Sequence, residues 1–296
     1  MMVESFPVDL LNPGQVFACL GVVEAIETLT GEPTMSHFVV EGASTIGRFE
    51  LQTDAGGAVA NVVAFLRDAR VDAVIPAGTV FQKMLSTTKW SVPNVVEERE
   101  IFDAPVPRTP ATLPARLRDA AGRTLTIASW ADGAANGRDN VKFWAGAGGY
   151  PGAALAIDAI ATLQTISDVP AVVEDPFAFA APMSSSFRFD WRRDYVPLAV
   201  GFSPNRQSSI TMTGYPLVEL LAAIGLSHAR PIRTAKNKKL QYAYGVWLEP
   251  MPSILARPAL GNVDVGYRRR SFTMQLDWPG QENQARCIIS AKEETV

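Results

Sequence analysis

Four apolar helical segments, separated by unequal numbers of strand-like segments, constrain the fold of this chain more than any other feature. Helices are predicted after the turn at 12–15, over about 56–69, from 151 to 164 and from 215 to 225. Within them, apolar residues recur at the three- and four-residue spacing of a helix face. Because strands and helices do not alternate regularly, the sequence predicts an α+β fold with mixed, largely antiparallel sheets and a few packed helices.

Two local patterns sharpen this prediction. The first helix is expected to bury one apolar face, with Glu24 and Glu27 pointing away from it. The clearest strand alternates Phe272, Met274, Leu276 and Trp278 with polar residues, which predicts a sheet with one solvated face. The whole of 241–296 is expected to form strands.

Charge divides the chain into two halves. Residues 1–183 hold 12 Lys/Arg against 21 Asp/Glu, whereas residues 184–296 hold 15 against 9. A stretch rich in proline and serine, 167–187, contains the switch. The sequence therefore predicts two lobes of similar size, an acidic α+β domain over 1–180 and a basic, strand-rich domain over 181–296. Such asymmetry indicates contact with nucleic acid or a charged partner, or a balance of the two halves across an internal interface.

Several classes of protein are disfavoured. No apolar run reaches the roughly 18 residues of a membrane span, and the opening residues lack the basic region of a signal peptide. Cys19 and Cys287 are only two and lie far apart, which favours a reducing, cytoplasmic location. Neither His37 nor His228 has a metal-ligand spacing to a second His or Cys. The sequence thus predicts no catalytic site, no metal site and no cofactor.

One glycine-rich loop keeps an enzymatic alternative open. The sequence "WAGAGGYPG" at 144–152 precedes a predicted helix, whose N-terminus is a place where phosphate groups bind. The loop lacks the Lys-Ser/Thr of a P-loop and the glycine spacing of a dinucleotide fold, and its glycines equally permit close backbone contact. A small-molecule enzyme using this loop is therefore the alternative function.

Basic and aromatic residues are interleaved between 188 and 270. Lys and Arg neutralise phosphates, flat rings stack on unpaired bases, and Asn, Gln and Arg contact base edges. The alternative is that the rings belong to the core and the cations form ion pairs, with Asp190 and Asp194 as partners, or that the basic half binds an acidic partner protein. The candidate nucleic-acid-binding residues are Arg188, Arg192, Arg193, Asn205, Arg206, Gln207, Lys236, Lys238, Lys239, Tyr242, Arg268, Arg269 and Arg270, together with Asn12 and Gln15 of the opening turn.

Three segments together resemble a known family. The opening "NPGQVFACLGVVEA", the central "NVKFWAGAGG" and the late "VGFSPN" with "YPLVELLAAIGL" and "RP" are similar to the large-subunit proteins of type I-U CRISPR Cascade complexes. The resemblance follows the same order over most of the chain. Its motifs are distinctive in combination and weak singly.

This resemblance implies a non-catalytic function in antiviral defence. A Cascade large subunit packs against the crRNA-bearing backbone subunits, recognises the short motif beside the target (the PAM), stabilises the opened double-stranded DNA and supports recruitment of a helicase-nuclease. The resemblance therefore implies a DNA-binding and RNA-binding subunit of a cytoplasmic ribonucleoprotein. The chain departs from better-known large subunits in lacking an obvious C-terminal four-helix bundle.

Overall fold

The structure is a computed structural model that describes residues 1–77, 91–97, 113–130, 152–193, 212–278 and 286–294. In these ranges the helices are α1 (Pro13–Thr30), α2 (Ala58–Asp68), α3 (Gly152–Leu163), α4 (Val169–Glu174), α5 (Pro216–His228) and α6 (Ser253–Leu260), with a 3₁₀ turn at Trp191–Arg193. The strands are β1 (Met2–Asp9), β2 (Met35–Val39), β3 (Ile46–Thr53), β4 (Arg70–Pro76), β5 (Asn94–Glu97), β6 (Ala115–Arg118), β7 (Thr124–Ile127), β8 (Ala181–Pro182), β9 (Thr213–Gly214), β10 (Ile232–Arg233), β11 (Gln241–Trp247), β12 (Met251–Pro252), β13 (Arg269–Asp277) and β14 (Cys287–Glu294).

The described strands form three four-stranded sheets and one two-stranded sheet. Their strand orders are β1-β3-β2-β12, β5-β4-β6-β7, β10-β11-β13-β14 and β8-β9. Neighbouring strands run antiparallel in all of them, except that β4 and β5 are parallel. The predicted α+β class with largely antiparallel sheets is confirmed.

Helices α1 and α5 pack against each other at the centre of the molecule. Each carries a glycine at the crossing: a Cβ on Gly21 would collide with the carbonyl oxygen of Leu221, and one on Gly225 with that of Phe17. The two backbones are therefore in direct contact, an approach that only glycine permits at both positions. Since α1 and α5 come from the two sequence halves, their crossing joins the halves in one core.

Further contacts cross the predicted boundary at 180/181. Strand β12 pairs with β2 in the sheet that β1 begins. The Trp247 indole donates a hydrogen bond to the carbonyl oxygen of Ser36 (2.9 Å), and the Tyr244 hydroxyl donates one to that of Leu10 (2.8 Å). The division into two domains stays a prediction, but any such lobes share an extensive buried interface.

The prediction that Glu24 points away from the core is wrong. Residues 13–26 of α1 are buried all round, as in a helix enclosed by other elements rather than one lying on a surface. Glu24 is only 2% exposed and binds the Arg257 guanidinium through two hydrogen bonds of 2.6 and 2.8 Å. A buried carboxylate requires such a partner, which the helical periodicity of α1 does not reveal.

Helix α6 interrupts the region that was expected to consist of strands. It spans only eight residues and contains Pro258, so it gives neither a long apolar period nor a favourable helix propensity. Strands β11, β13 and β14 of the same region are present. In β13 the predicted apolar face is confirmed, because Phe272, Met274 and Leu276 are buried, but Thr273 on the opposite face is buried as well.

Candidate functional site

A buried polar network connects the opening turn to the predicted basic cluster around Arg192. We call it the carboxylate network and define it as Asn12, Asp190, Arg192, Arg193 and Glu219. The Asn12 side-chain amide donates a hydrogen bond to Asp190 (3.0 Å), and Arg192 binds both carboxylate oxygens of Asp190. Asn12, Asp190 and Glu219 are fully buried, and Arg193 is 7% exposed. The Arg192 side chain is 30% exposed, and the other members of the network lie inside the protein.

The Glu219 side chain holds the backbone of the segment before the 3₁₀ turn. Its carboxylate accepts hydrogen bonds from the backbone N–H groups of Phe189 (3.4 Å) and Asp190 (3.2 Å). Burial is the main cause that raises the Glu219 pKa from its usual 4.5 to about 7, and the neighbouring Asp190 charge adds to it. Hydrogen bonding to Asp190 N–H and the Arg193 charge act in the opposite direction.

This network explains why several predicted contacts are not on the surface. Besides binding Asp190, Arg192 donates to the carbonyl oxygen of Phe177 (2.9 Å) and lies 3.6 Å from the centre of the Tyr215 ring. Gln15 accepts a hydrogen bond from the Asp9 N–H (2.7 Å). Asn12, Gln15 and Arg193 are thus buried, whereas Arg192 is partly exposed and paired with Asp190, as the ion-pair alternative anticipates for this arginine.

Arg188 lies at the edge of the same segment. It is half-buried, and its backbone has a φ of +66°, a left-handed conformation uncommon for a residue with a side chain. The hydrogen bond from its N–H to the Ser186 hydroxyl (2.9 Å) helps to hold this turn. Arg188 is therefore placed by the local backbone rather than by a neighbouring strand.

A second basic region is open to solvent. It is a cleft of about 780 Å³, which we call the basic cleft, formed by the end of α5, strand β10 with the turn after it, the β11 residue Tyr242, and the end of α6 with the loop that follows. Cationic side chains lining it are Arg230, Arg233, Lys236 and Arg257. None of the described residues that line it is Asp or Glu. A cleft of this kind favours an anionic ligand.

The walls of the basic cleft are held by contacts between distant parts of the chain. A Cβ on Gly261 would lie 2.8 Å from the carbonyl oxygen of Arg230, so the loop after α6 touches the segment before β10. Strand β10 is paired with β11, where Arg233 lies opposite Tyr242. Arg269 donates hydrogen bonds to both the backbone (2.6 Å) and the side-chain (2.9 Å) oxygen of Asn262, which holds the loop from the other side.

One lining residue of the basic cleft, His228, pairs with a buried carboxylate behind it. The His228 Nδ1 atom lies 3.4 Å from the Glu24 carboxylate, which is also the bidentate partner of Arg257. Burial lowers the His228 pKa below its usual 6.5, the Glu24 charge opposes this shift, and the Arg257 charge adds to it. His228 is therefore predominantly neutral at pH 7, and protonation would place a further cation beside the cleft.

Three predicted lysines form the rim of the basic cleft or lie next to it. Lys236, Lys238 and Lys239 are exposed on the turn between β10 and β11, and we call them the lysine turn. Lys236 also lines the cleft. This placement agrees with a role in phosphate contact.

The predicted stacking residue Tyr242 lies below this turn. Its side chain is only 2% exposed, and its hydroxyl donates a hydrogen bond to the Lys239 carbonyl oxygen (3.0 Å). In this structure its ring packs in the core and presents no face to a base. The burial favours the core interpretation that the sequence left open.

The arginines at 268–270 lie at the opposite end of β11 from the lysine turn. In the pairing of β13 with β11, Arg269 lies opposite Trp247 and Arg270 opposite Val246, at the end of β11. Gln241 begins β11, next to the lysine turn. Arg270 binds Glu293 and the Ser44 carbonyl oxygen. Arg268, 76% exposed, pairs with Glu249 at 2.6 Å. The structure therefore does not bring the two predicted basic clusters together.

Some candidate residues lie outside the described part of the chain. These are Asn205, Arg206 and Gln207, and all of the glycine-rich loop 144–152 except Gly152. Their roles stay predictions.

Similarity searches add no assignment. Comparisons with protein families, with curated protein sequences and with solved structures find no match to this chain. Among the described residues, no group of three or more His, Cys, Asp or Glu side chains is placed to hold a metal ion. In the same ranges, none of the helices is both long and apolar enough to cross a membrane.

Three residues of the basic cleft were not among the candidates predicted from the sequence: Arg230, Arg257 and His228. Arg257 lies in a helix that was not predicted, and His228 ends a helix whose periodicity indicated only burial. One signal was available: no Asp or Glu occurs between Glu219 and Glu249, although that stretch contains five Lys or Arg residues.

Proposed function

We propose that this protein is the non-catalytic large subunit of a crRNA-guided DNA surveillance complex of the type I-U Cascade kind. The observation that carries the proposal is the solvent-open basic cleft, lined by four Lys or Arg side chains with the lysine turn beside it. Cations in this arrangement attract and position a phosphate backbone. The resemblance of the opening, central and late motifs supplies the biological setting.

In this proposal the surface binds nucleic acid held by a larger assembly. The basic cleft and the lysine turn contact the phosphate backbone of crRNA or of opened target DNA. The protein packs on the crRNA-bearing backbone subunits, recognises the motif flanking the target and supports recruitment of a helicase-nuclease. The complex works in the cytoplasm as part of antiviral defence.

Co-purification tests this proposal directly. The tagged full-length chain is expressed beside its genomic neighbours, and RNA in the purified material is sequenced. We expect a single repeat-derived RNA species together with the backbone subunits. Recovery of the chain without RNA, or with an unselected mixture of cellular RNA, contradicts the proposal.

A scaffold that binds an acidic protein partner is the second candidate. It is favoured by the exposed apolar residues Ile232 and Val263 among the cations of the cleft, because acidic segments that also bury apolar side chains fit such a surface. The same co-purification separates the two functions. An acidic protein recovered in equal amount after nuclease treatment, without RNA, supports the scaffold.

A further inference from the structure

The basic cleft has an apolar surface as well as a cationic one, and a phosphate contact alone does not need the apolar surface. Ile232 is 52% exposed and Val263 is 47% exposed, and both line the cleft together with Pro258. Large apolar side chains exposed beside one another in a concave site are typical of ligand pockets. The cations occupy the same concave surface, so the ligand should carry a negative group next to an apolar, preferably flat one.

The size of the cleft limits what enters it. Its volume of about 780 Å³ falls within the range of small-ligand sites, which is roughly 300–1,000 Å³. A duplex covers the faces of its bases by stacking, so it offers such a cleft only phosphates. An unpaired nucleotide offers both a phosphate and the free face of a base.

We propose that the basic cleft binds one unpaired nucleotide unit. The phosphate lies among Arg230, Arg233 and Lys236, and the base packs against Ile232, Val263 and Pro258. Glu24 binds the Arg257 guanidinium and neutralises part of its charge. The inference deepens the proposed function, on which it rests. The unit is either a free nucleoside monophosphate or a nucleotide within a single strand.

The aliphatic walls predict a particular selectivity. Side chains of isoleucine, valine and proline offer van der Waals contact to any base but no donor or acceptor for its edge. Tyr242 cannot add a stacking face, because its ring is buried. The cleft should therefore distinguish unpaired from paired nucleotides well and one base from another poorly.

Binding of matched ligands to the full-length chain tests the inference. The ligands are AMP, single-stranded oligo-dT, single-stranded oligo-U and a mixed-sequence duplex, measured at about 50 mM and about 200 mM salt. Competition by AMP indicates that a free nucleotide can fill the cleft. Binding of the oligonucleotides without AMP competition indicates a nucleotide within a strand, and the DNA and RNA probes identify which strand.

Two variants distinguish the contribution of the apolar side chains of the cleft to binding from that of its cationic side chains. We expect Ile232→Gln/Val263→Gln to weaken binding of the unpaired ligand by roughly fivefold and leave the duplex unaffected, because only the former loses apolar contact. Lys236→Gln should lower the salt slope for a single strand by about 0.7. The matched controls are Ile46→Gln/Val3→Gln and Lys292→Gln, which change exposed residues of the same types outside the cleft. Melting temperatures verify that each variant is folded.

Three results overturn the inference. The first is that the cleft variants bind the ligands as well as their controls do. The second is that poly-glutamate competes as well as oligo-dT, which would show that binding depends only on net charge. The third is no nucleotide binding by the wild-type chain at about 50 mM salt, because the cleft is complete within one chain. If crRNA still co-purifies with the cleft variants, the proposed function is retained and only the nucleotide-binding role of the cleft is rejected.

Discussion

Two segments look alike in sequence, "FRFDWRRDY" at 187–195 and "RTAKNKKLQYAYGVW" at 233–247, but their described residues lie in different environments. Both interleave cations with aromatic rings. Arg192 and Arg193 of the first segment belong to the buried carboxylate network, whereas Lys236 of the second lies on the exposed rim of the basic cleft. Their comparison shows that basic-aromatic composition alone does not identify a nucleic-acid surface.

The difference follows from where the acidic residues are. Asp190 stands two residues before Arg192 in the first segment, so the partly exposed guanidinium neutralises the buried carboxylate. The second segment has no acidic residue of its own, so its lysines gain most by remaining hydrated. Local charge balance therefore separates an internal network from a binding surface.

The largest expected effect is the loss of the central carboxylate from the carboxylate network. Asp190→Ala leaves the buried Asn12 amide and the partly exposed Arg192 without their partner, so we expect the free energy of unfolding to fall by about 3–4 kcal/mol. Urea denaturation measures the loss. The control Asp54→Ala removes an exposed carboxylate and should change stability by less than about 0.5 kcal/mol. A loss below about 1 kcal/mol at position 190 would show that the network is not structural.

Substitutions of Tyr242 test whether an aromatic residue of the second segment belongs to the core or contacts nucleic acid. Tyr242→Ala removes a buried ring and should cost about 3 kcal/mol of unfolding free energy, while nucleic-acid binding per folded molecule stays unchanged. Tyr242→Phe keeps the ring and loses only the hydrogen bond to Lys239, at a cost of about 1 kcal/mol. Weaker single-strand binding by a fully folded Tyr242→Ala protein would restore the stacking interpretation.

Glu219 makes the stability of the carboxylate network depend on pH. Because its folded pKa of about 7 lies above the usual 4.5, its contribution to stability is complete below pH 4.5 and is lost as the pH rises through 7. Between pH 4.5 and 8, the wild type should lose about 3 kcal/mol relative to Glu219→Gln, whose amide does not titrate. Parallel stability curves for the two proteins over this range would contradict the raised pKa.

The lysine turn should give a smaller effect, on binding only. Replacing Lys236, Lys238 and Lys239 with Gln should lower affinity for every nucleic acid by roughly tenfold and reduce the salt slope by about one unit for each lost phosphate contact. The matched triple variant Arg70→Gln/Arg118→Gln/Lys292→Gln removes the same charge from exposed side chains elsewhere. Equal loss in both triple variants would assign the effect to net charge.

The sequence predicts the fold class and the main helices because each is determined by local periodicity. Helix α2 buries Val59, Val62, Val63 and Leu66 as its spacing requires. The contact of Gly21 with α5 was not predictable, since the glycine approaches a residue two hundred positions away. The surroundings of Glu24 depend equally on Arg257, a distant residue.

The candidate site was predicted only in part, for the same reason. The lysine turn is a local feature, and its composition already indicates exposure. The basic cleft is assembled from the end of α5, β10 and the end of α6, so Arg257 joins Arg230 and Lys236 only through the tertiary fold. Asn12 and Gln15 looked available because the sequence does not show that Asp190 and Asp9 are their partners.

The smallest expected effect concerns His228, which lines the basic cleft. Glu24 and Glu27 of α1 and Arg257 of α6 are the charged groups that influence its pKa, which burial keeps below 6.5. A bound phosphate favours the protonated imidazole, so affinity for a single strand should rise by about twofold as the pH falls from about 7.5 to about 5.5. His228→Asn removes the titrating ring and should abolish this rise, whereas His37→Asn, on the distant strand β2, should retain it. Binding measured at the two pH values in constant salt tests whether His228 is the group that takes up the proton. An identical rise in affinity in both variants would assign the proton to another group and leave His228 as a structural partner of Glu24.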